Sequence, residues 1–183
     1  MSILITGGAR SGKSSFAERL TMSLADQAVY VATAQAFDEE MKERIALHRQ
    51  QRSEAEFPWE TIEESHDLPG LLLGRLSDKK MVLVDCLTLW LSNILLSVED
   101  QEDRQEAVEK EIYRLEQSVI SFKGTLIMVT NEVGNGIVPE YALGRLYRDL
   151  AGRMNQRLAH NSSQVFLVTA GIPIELKTRE FRL

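Results

Sequence analysis

Cysteine is all but missing from this chain: Cys86 stands alone among 183 residues. An internal disulfide is excluded, and the composition fits a reducing compartment, so a cytoplasmic location is expected. Excess positive charge is missing too. Lys and Arg number 21 against 27 Asp and Glu, a net charge of −6. That balance argues against a general nucleic-acid binder and against anchoring on an anionic membrane surface. The longest apolar stretch, residues 81–98, is interrupted by Asp85, Thr88, Ser92 and Asn93. It reads as a strand followed by a helix, not as a membrane span. There is no internal repeat and no low-complexity segment, and the chain opens directly on an apolar strand, so no signal peptide is expected. What is present, 44% hydrophobic and 26% charged residues, is ordinary for a globular protein. One domain over 1–183 with an ample core is the expectation.

The most informative stretch is at the front. Ile3-Leu4-Ile5-Thr6 reads as an apolar strand, and Gly7-Gly8-Ala9-Arg10-Ser11-Gly12-Lys13-Ser14 matches the phosphate-binding pattern G-x-x-x-x-G-K-[ST] at every fixed position. Gly7 and Gly12 allow turns closed to residues with a Cβ, so backbone amides can converge on phosphate oxygens. Lys13 supplies a point charge for the β- and γ-phosphates, and Ser14 offers a hydroxyl to Mg²⁺. A helix over 13–25 follows, with Phe16, Leu20 and Leu24 marking its apolar face. Its N-terminal end adds a positive dipole.

Further strands are expected at Val29-Tyr30-Val31-Ala32-Thr33, Met81-Val82-Leu83-Val84, Thr125-Leu126-Ile127-Met128-Val129-Thr130 and Val165-Phe166-Leu167-Val168-Thr169. With the first, that makes five buried apolar strands alternating with helices, the pattern of a parallel sheet covered on both faces. Residues 57–64 suggest a short extended piece, and Ile172 to Leu176 an edge strand. Helices are expected over 67–76, 88–97, around Val108, Ile112, Leu115 and Val119, and over 140–160 with Leu143, Leu146, Tyr147, Leu150, Met154 and Leu158 inward. Most of the polar residues of that last helix are expected to be solvated or paired with one another. The acidic residues 99–107 read as a solvated connection.

Three sites invite chemistry. The strand ending in Asp85 has the form of a Walker B segment, whose carboxylate reaches Mg²⁺ directly or through water. The strand ending at Thr130 runs into Asn131-Glu132 and a glycine-rich loop, and the carboxyl edge of an open parallel sheet is where ligands bind. Glu132 reads either as a metal-proximal or hydroxyl-orienting carboxylate or as a structural residue. The third is a helix expected over about 38–51, with Asp38 as its cap. Glu40, Arg44, His48 and Arg52 are spaced by four, with Arg49 nearby. Neighbouring positive charge favours a neutral, nucleophilic imidazole, and the arginines could hold a phosphate against it. Spacing alone leaves two readings open: that one, or a solvated basic face with a bystander histidine.

Taken together, Thr6–Ser14, Tyr30-Val31-Ala32-Thr33-Ala34, Arg44-Ile45 with His48-Arg49 and Arg52, Trp59 with Glu63, Thr130-Asn131-Glu132-Val133-Gly134 with Gly136-Ile137-Val138-Pro139, and Arg148-Asp149 with Gly152-Arg153 and Asn155-Gln156-Arg157 resemble the bifunctional adenosylcobinamide kinase / adenosylcobinamide-phosphate guanylyltransferase family of cobalamin biosynthesis. The resemblance runs from the first strand to about residue 171. It implies a P-loop NTPase fold of RecA-like type, with a mostly parallel sheet and an antiparallel C-terminal edge strand. It implies two reactions: phosphorylation of the aminopropanol hydroxyl of adenosylcobinamide by ATP or GTP, then transfer of GMP from GTP through a GMP-histidine intermediate. His48 matches the nucleophile, with Lys13 and Asp85 also catalytic. Nucleotide contacts carry over to Gly7, Gly8, Ala9, Arg10, Ser11, Gly12, Lys13 and Ser14, to Ala32, Thr33 and Ala34, to Arg49, Gln50, Gln51 and Arg52, and to Glu63 and Asp85. Ser14 and Asp85 would hold Mg²⁺. Glu132 and the loop after it are assigned by inference to the corrinoid or hydroxyl side. The implied partners are the corrinoid substrate and further copies of the chain as a homotrimer, with no nucleic acid and no membrane anchor. Two features depart from the family pattern: the Arg52-to-Trp59 spacing is longer, which bears on Glu63, and Asp85 stands where some members carry Glu.

Competing readings are a simple P-loop kinase with no covalent nucleotide, and a nucleotide-responsive assembly subunit that binds without turnover. A GTP-dependent switch is disfavoured, because the chain has no N-K-x-D motif for reading guanine.

Overall fold

The structure is a computed structural model that describes residues 1–35, 39 and 56–181. Its elements in chain order are β1 (Ser2–Thr6), α1 (Lys13–Leu24), β2 (Ala28–Ala32), β3 (Trp59–Glu63), α2 (Leu68–Leu73), β4 (Met81–Asp85), α3 (Leu87–Ser97), α4 (Arg104–Ser121), β5 (Thr125–Val129), α5 (Ala142–Asn161), β6 (Gln164–Thr169) and β7 (Ile172–Glu175), closed by a 3₁₀ turn at Lys177–Arg179. The helix expected over 38–51, with His48, Arg49, Gln50, Gln51 and Arg52, lies outside the described residues.

The strands of the described residues form one seven-stranded sheet in the order β3-β2-β4-β5-β1-β6-β7. The first six run parallel, and β7 pairs antiparallel with β6. This is the α/β, mostly parallel sheet expected from the sequence, with its antiparallel C-terminal edge.

Burial on both sides follows from the strands' composition. Every second residue belongs to one core: Leu4, Val29, Val31, Val82, Val84, Leu126 and Met128 face α2, α3, α4 and α5. The alternate residues, Ile3, Ile5, Tyr30, Leu83, Ile127 and Val129, face α1. Near-continuous apolar strands are what a doubly covered parallel sheet requires.

The placement of the helices follows from crossover handedness. The connection from β1 through α1 to β2 runs toward the β3 edge, whereas those into β4, β5 and β6 run the other way. Right-handed crossovers in opposite directions put their helices on opposite faces. Hence α1 lies alone on its face among the described helices, and α4 packs with α2, α3 and α5 on the other.

Two details differ from the sequence expectation. Leu24 is 46% exposed, and the buried residues of α1 are Lys13, Ala17 and Thr21, with Phe16 and Leu20 half-buried beside them. Small side chains at 17 and 21 let the helix sit close on the sheet, and the aromatic and aliphatic residues flank that line of contact. Arg145, Asp149, Arg153, Gln156 and Arg157 of α5 are exposed as expected, but the ion pairs of Arg153 with Glu109 and Arg157 with Glu116 run to acids on α4, and Asn155 bonds to the end of β5. No helix of the described residues is long and apolar enough to cross a membrane.

Candidate functional site

The sheet's register aligns the predicted site residues along its carboxyl edge. Glu63 is level with Ala32, Ala32 with Asp85, Asp85 with Val129, and Val129 with Ile5. The phosphate loop starts two residues past Ile5. At about 4.8 Å per strand, Asp85 is two strands, about 10 Å, from β1, and Glu63 four strands, about 19 Å. Asp85 is therefore the nearest of these to the loop, Ala32 at the end of β2 is three strands, about 14 Å, from β1, and Glu63 stands at the far end of the row. The chain leaves β1 toward one side of the sheet and crosses from β5 to β6 on the other, which makes this edge a topological switch point.

The phosphate loop is tightly built. A Cβ on Gly7 would lie 2.4 Å from the Val168 carbonyl oxygen and 2.6 Å from Ser11 Oγ, so only glycine fits. Gly12 is needed for a different reason, a left-handed backbone at φ 92°. Arg10 also has a positive φ, 56°, a conformation uncommon for a side chain with a Cβ. Gly171 N–H donates to Ser11 O at 2.8 Å and ties the loop to the β6–β7 turn. Lys13 is buried in the loop, and its Nζ donates to Gly8 O at 3.2 Å. Above Gly8 the space is open: a Cβ there would meet nothing within 4 Å. Helix α1 starts at Lys13 with no side chain capping it, so its first amide groups are available to an anion. Ser11 Oγ is buried without a hydrogen-bond partner among the described residues. A closed glycine turn, a buried lysine, an unused buried hydroxyl and an uncapped helix start together fit a polyphosphate group.

Asp85 is held in place. Tyr30 OH donates to its Oδ2 at 3.1 Å. Thr33 clamps the neighbouring backbone: its Oγ1 donates to Cys86 O at 2.7 Å and accepts from Cys86 N at 2.9 Å. Asn93 Nδ2 then donates to Thr33 O at 2.9 Å and Ser65 O at 3.1 Å. The end of β2 is thus fixed against the end of β4. Cys86 itself is buried, and its thiol is pushed up to about 11, first by burial and then by the Asp85 charge. It is an inert structural thiol. Among the described residues no group of three His, Cys, Asp or Glu could hold a metal unaided. The hydroxyl of Ser14 and the carboxylate of Asp85 are hard oxygen donors of the kind Mg²⁺ accepts alongside phosphate oxygens.

A second layer of polar contacts fixes the loop after β5. Thr130 Oγ1 donates to Asn155 Oδ1 at 2.7 Å, Asn155 Nδ2 donates to Asn131 O at 3.1 Å, and Asn131 Nδ2 donates to Thr88 Oγ1 at 2.8 Å. Glu132 N–H donates to Gly7 O at 3.1 Å, joining this loop directly to the phosphate loop. The Glu132 carboxylate accepts from Gly134 N–H at 3.0 Å. Sequence reasoning missed Tyr30 and Asn155 as supports of the site, and it named Thr33 as a nucleotide contact without its clamp on Cys86. Each falls within a family motif, which was the available signal, but their partners are 55, 53 and 25 residues away in sequence.

Known proteins of one family are similar to this chain over nearly its whole length. Residues 3–176 match the family model described as cobinamide kinase / cobinamide phosphate guanyltransferase. A bifunctional adenosylcobalamin biosynthesis protein CobU of Escherichia coli is 42% identical, with 97% of this chain and all of that protein covered. The protein of the same description from Salmonella typhimurium is 40% identical over the same shares. The bifunctional adenosylcobalamin biosynthesis protein CobP of Pseudomonas aeruginosa is 42% identical, covering 95% of this chain and 96% of its own. A solved structure from Pyrococcus horikoshii OT3 superposes with a TM-score of 0.54 at 10% identity, covering 96% of this chain and 85% of that one, and bears on the fold alone. With a family model spanning nearly its whole length and relatives at about two-fifths identity, this chain belongs to the cobinamide kinase / cobinamide phosphate guanyltransferase family.

Proposed function

We propose that the chain uses one nucleotide site for two successive transfers in cobalamin biosynthesis. In the first, the aminopropanol hydroxyl of adenosylcobinamide attacks the γ-phosphorus of ATP or GTP, and nucleoside diphosphate leaves. In the second, a neutral His48 imidazole attacks the α-phosphorus of GTP. A nitrogen–phosphorus bond forms, the bond between the α-phosphorus and its bridging oxygen breaks, and pyrophosphate leaves. The corrinoid phosphate then displaces the imidazole, giving adenosylcobinamide-GDP and free His48. The kinase and guanylyltransferase activities are those of the family to which the chain belongs.

The observation that carries the site assignment is the Gly7 turn, closed too tightly for any Cβ, with Lys13 buried in the loop that it begins. In this reading the loop amides from Gly7 to Ser14 orient the phosphates and Lys13 neutralises their charge. Ser14 and Asp85 would hold Mg²⁺, which when bound shields the triphosphate charge. Tyr30 and Thr33 keep Asp85 and the Ala32-Thr33-Ala34 segment in position. Glu63, at the far end of the row, is suited to the nucleoside end of the nucleotide. Arg49 and Arg52 would stabilise charge on the transferring phosphate beside His48, with Gln50 and Gln51 as further nucleotide contacts. The reading extends to a homotrimer in the cytoplasm.

The test is a pair of assays on the purified protein with Mg²⁺: phosphate transfer to cobinamide, and pyrophosphate release from GTP in the presence of cobinamide phosphate. Both activities are expected, and both are expected to fail in Lys13→Ala. Phosphate transfer without pyrophosphate release would replace this reading with a simple kinase. Nucleotide binding without either would replace it with an assembly protein.

A further inference from the structure

We infer that the loop after β5 carries the docking surface for the corrin macrocycle of the acceptor, with Ile137, Val138 and Tyr141 as its apolar contacts. This rests on the two-reaction reading above and names where the larger substrate lies.

Exposure comes first. Ile137 is 96% exposed, Val138 58% and Tyr141 68%. Single exposed apolar side chains are common on protein surfaces, but three within five residues concentrate apolar surface on one loop, which suits a docking contact.

The backbone on both sides of Ile137 and Val138 is anchored to α5. Arg145 Nη1 donates to Pro139 O at 3.1 Å and Glu140 O at 2.6 Å. Arg148 reaches from the same helix to donate to Gly134 O. Gly144 leaves no room for a Cβ, which would lie 2.7 Å from the Tyr141 ring and 2.8 Å from Pro139 Cβ. Tyr141 and Pro139 therefore rest directly on the start of α5. A surface fixed before its ligand arrives loses less entropy on binding, so such pinning suits a docking platform.

Position supplies the occupant. The root of the loop is hydrogen-bonded to the phosphate loop through Glu132 N–H and Gly7 O, so the patch rises from the rim of the nucleotide site. The acceptor presents its hydroxyl, and later its phosphate, on a short arm. The macrocycle that bears the arm is far wider than a phosphate-binding turn. Only the arm can enter, and the macrocycle must lie on the rim. Its methyl-bearing edge needs an apolar contact there, and its peripheral amides need a polar surround. Ile137, Val138 and Tyr141 give the first, and Asn135 and Glu140, both on the same loop, give the second.

The test is equilibrium dialysis of cobinamide, read by its visible absorbance, against the full chain and three variants. Ile137→Asp and Val138→Asp place a charge on an exposed patch, and Ile137→Leu preserves its character. Each Asp variant is expected to bind cobinamide at least about tenfold more weakly, the effect of losing one well-buried aliphatic contact. The Leu variant is expected to stay within about twofold of the unsubstituted protein. All are expected to sediment alike. Unchanged cobinamide binding by both Asp variants would overturn the inference. So would an altered sedimentation coefficient, which would make the patch a contact between copies of the chain. If the unsubstituted protein bound GTP but no cobinamide, the two-reaction reading itself would fall, and this inference with it.

Discussion

Replacing Gly7 by alanine tests whether the closed phosphate loop is what makes this site. The new Cβ would lie 2.4 Å from the Val168 carbonyl oxygen and 2.6 Å from Ser11 Oγ. The Ser11 side chain can rotate away, but Val168 is part of β6, which is paired on both sides. The carbonyl contact is therefore the one that decides. Relief to an ordinary separation needs a movement of about 0.6–1 Å, either of the loop away from β6 or of β6 itself. Overpacking of this kind costs about 1–3 kcal/mol, which for a chain of this size lowers Tm by about 2–12 °C. A loop pushed outward by that distance no longer aims its amides at one point, so GTP affinity is expected to fall more than about tenfold. Gly8→Ala is the control. A Cβ there meets nothing within 4 Å, and the melting temperature is expected to change by less than about 2 °C. Differential scanning calorimetry and titration calorimetry with GTP read the two effects. Gly7→Ala melting like Gly8→Ala and binding GTP like the unsubstituted protein would refute the reasoning.

Two further predictions concern pH. Burial, then the Asp85 charge, raises the Cys86 thiol from 9.0 to about 11, so the folded state holds this proton more tightly than the unfolded state does. Its contribution to stability is complete below pH 9 and is lost as pH rises toward 11, by up to about 3 kcal/mol. Denaturant melts at pH 8 and pH 10.5 are expected to show a smaller pH loss in Cys86→Ala than in the unsubstituted protein. Glu175 accepts backbone N–H bonds from Thr178, Val165 and Lys177, which pull its carboxyl from 4.5 down to about 2. The stability it gives to the C-terminal turn is present above pH 4.5 and is lost as pH falls toward 2. An NMR titration of the Glu175 side chain is expected to find it still ionised at pH 3.5, and a midpoint near 4.5 would contradict the hydrogen-bonding account.

Local pattern made much of the fold legible. The phosphate loop, the five apolar strands and the amphipathic α4 and α5 all lie where periodicity and motif put them. The weaker extended pieces became the two sheet edges: β3, only partly buried, and the mostly exposed β7. Strand order was not legible, because pairing between β1, β5 and β6 joins residues more than 100 apart. The inward side of α1 is not the one that apolar size suggests: Leu24 is the larger residue, whereas close packing on a sheet selects Ala17 and Thr21. The same limit applies to α5. Arg148, Arg153 and Asn155 look alike as solvated polar residues, yet one pins the loop after β5, one pairs with α4, and one closes a partly buried network with Thr130. Polar function of that sort depends on what another element brings within 3 Å, which helical spacing does not encode. The roles given to His48 and Asp85 show the same contrast. A strand that ends in aspartate has a fixed geometry once its sheet is known. The histidine among arginines draws its meaning from family resemblance.

The central claim is covalent transfer of GMP through His48. Intact-protein mass spectrometry after incubation with GTP and Mg²⁺, with His48→Asn alongside, tests it most directly. The account predicts a GMP-sized adduct on the unsubstituted protein, absent from the variant and discharged by cobinamide phosphate. An adduct that persists in His48→Asn, or pyrophosphate release from GTP at an undiminished rate in that variant, would contradict it.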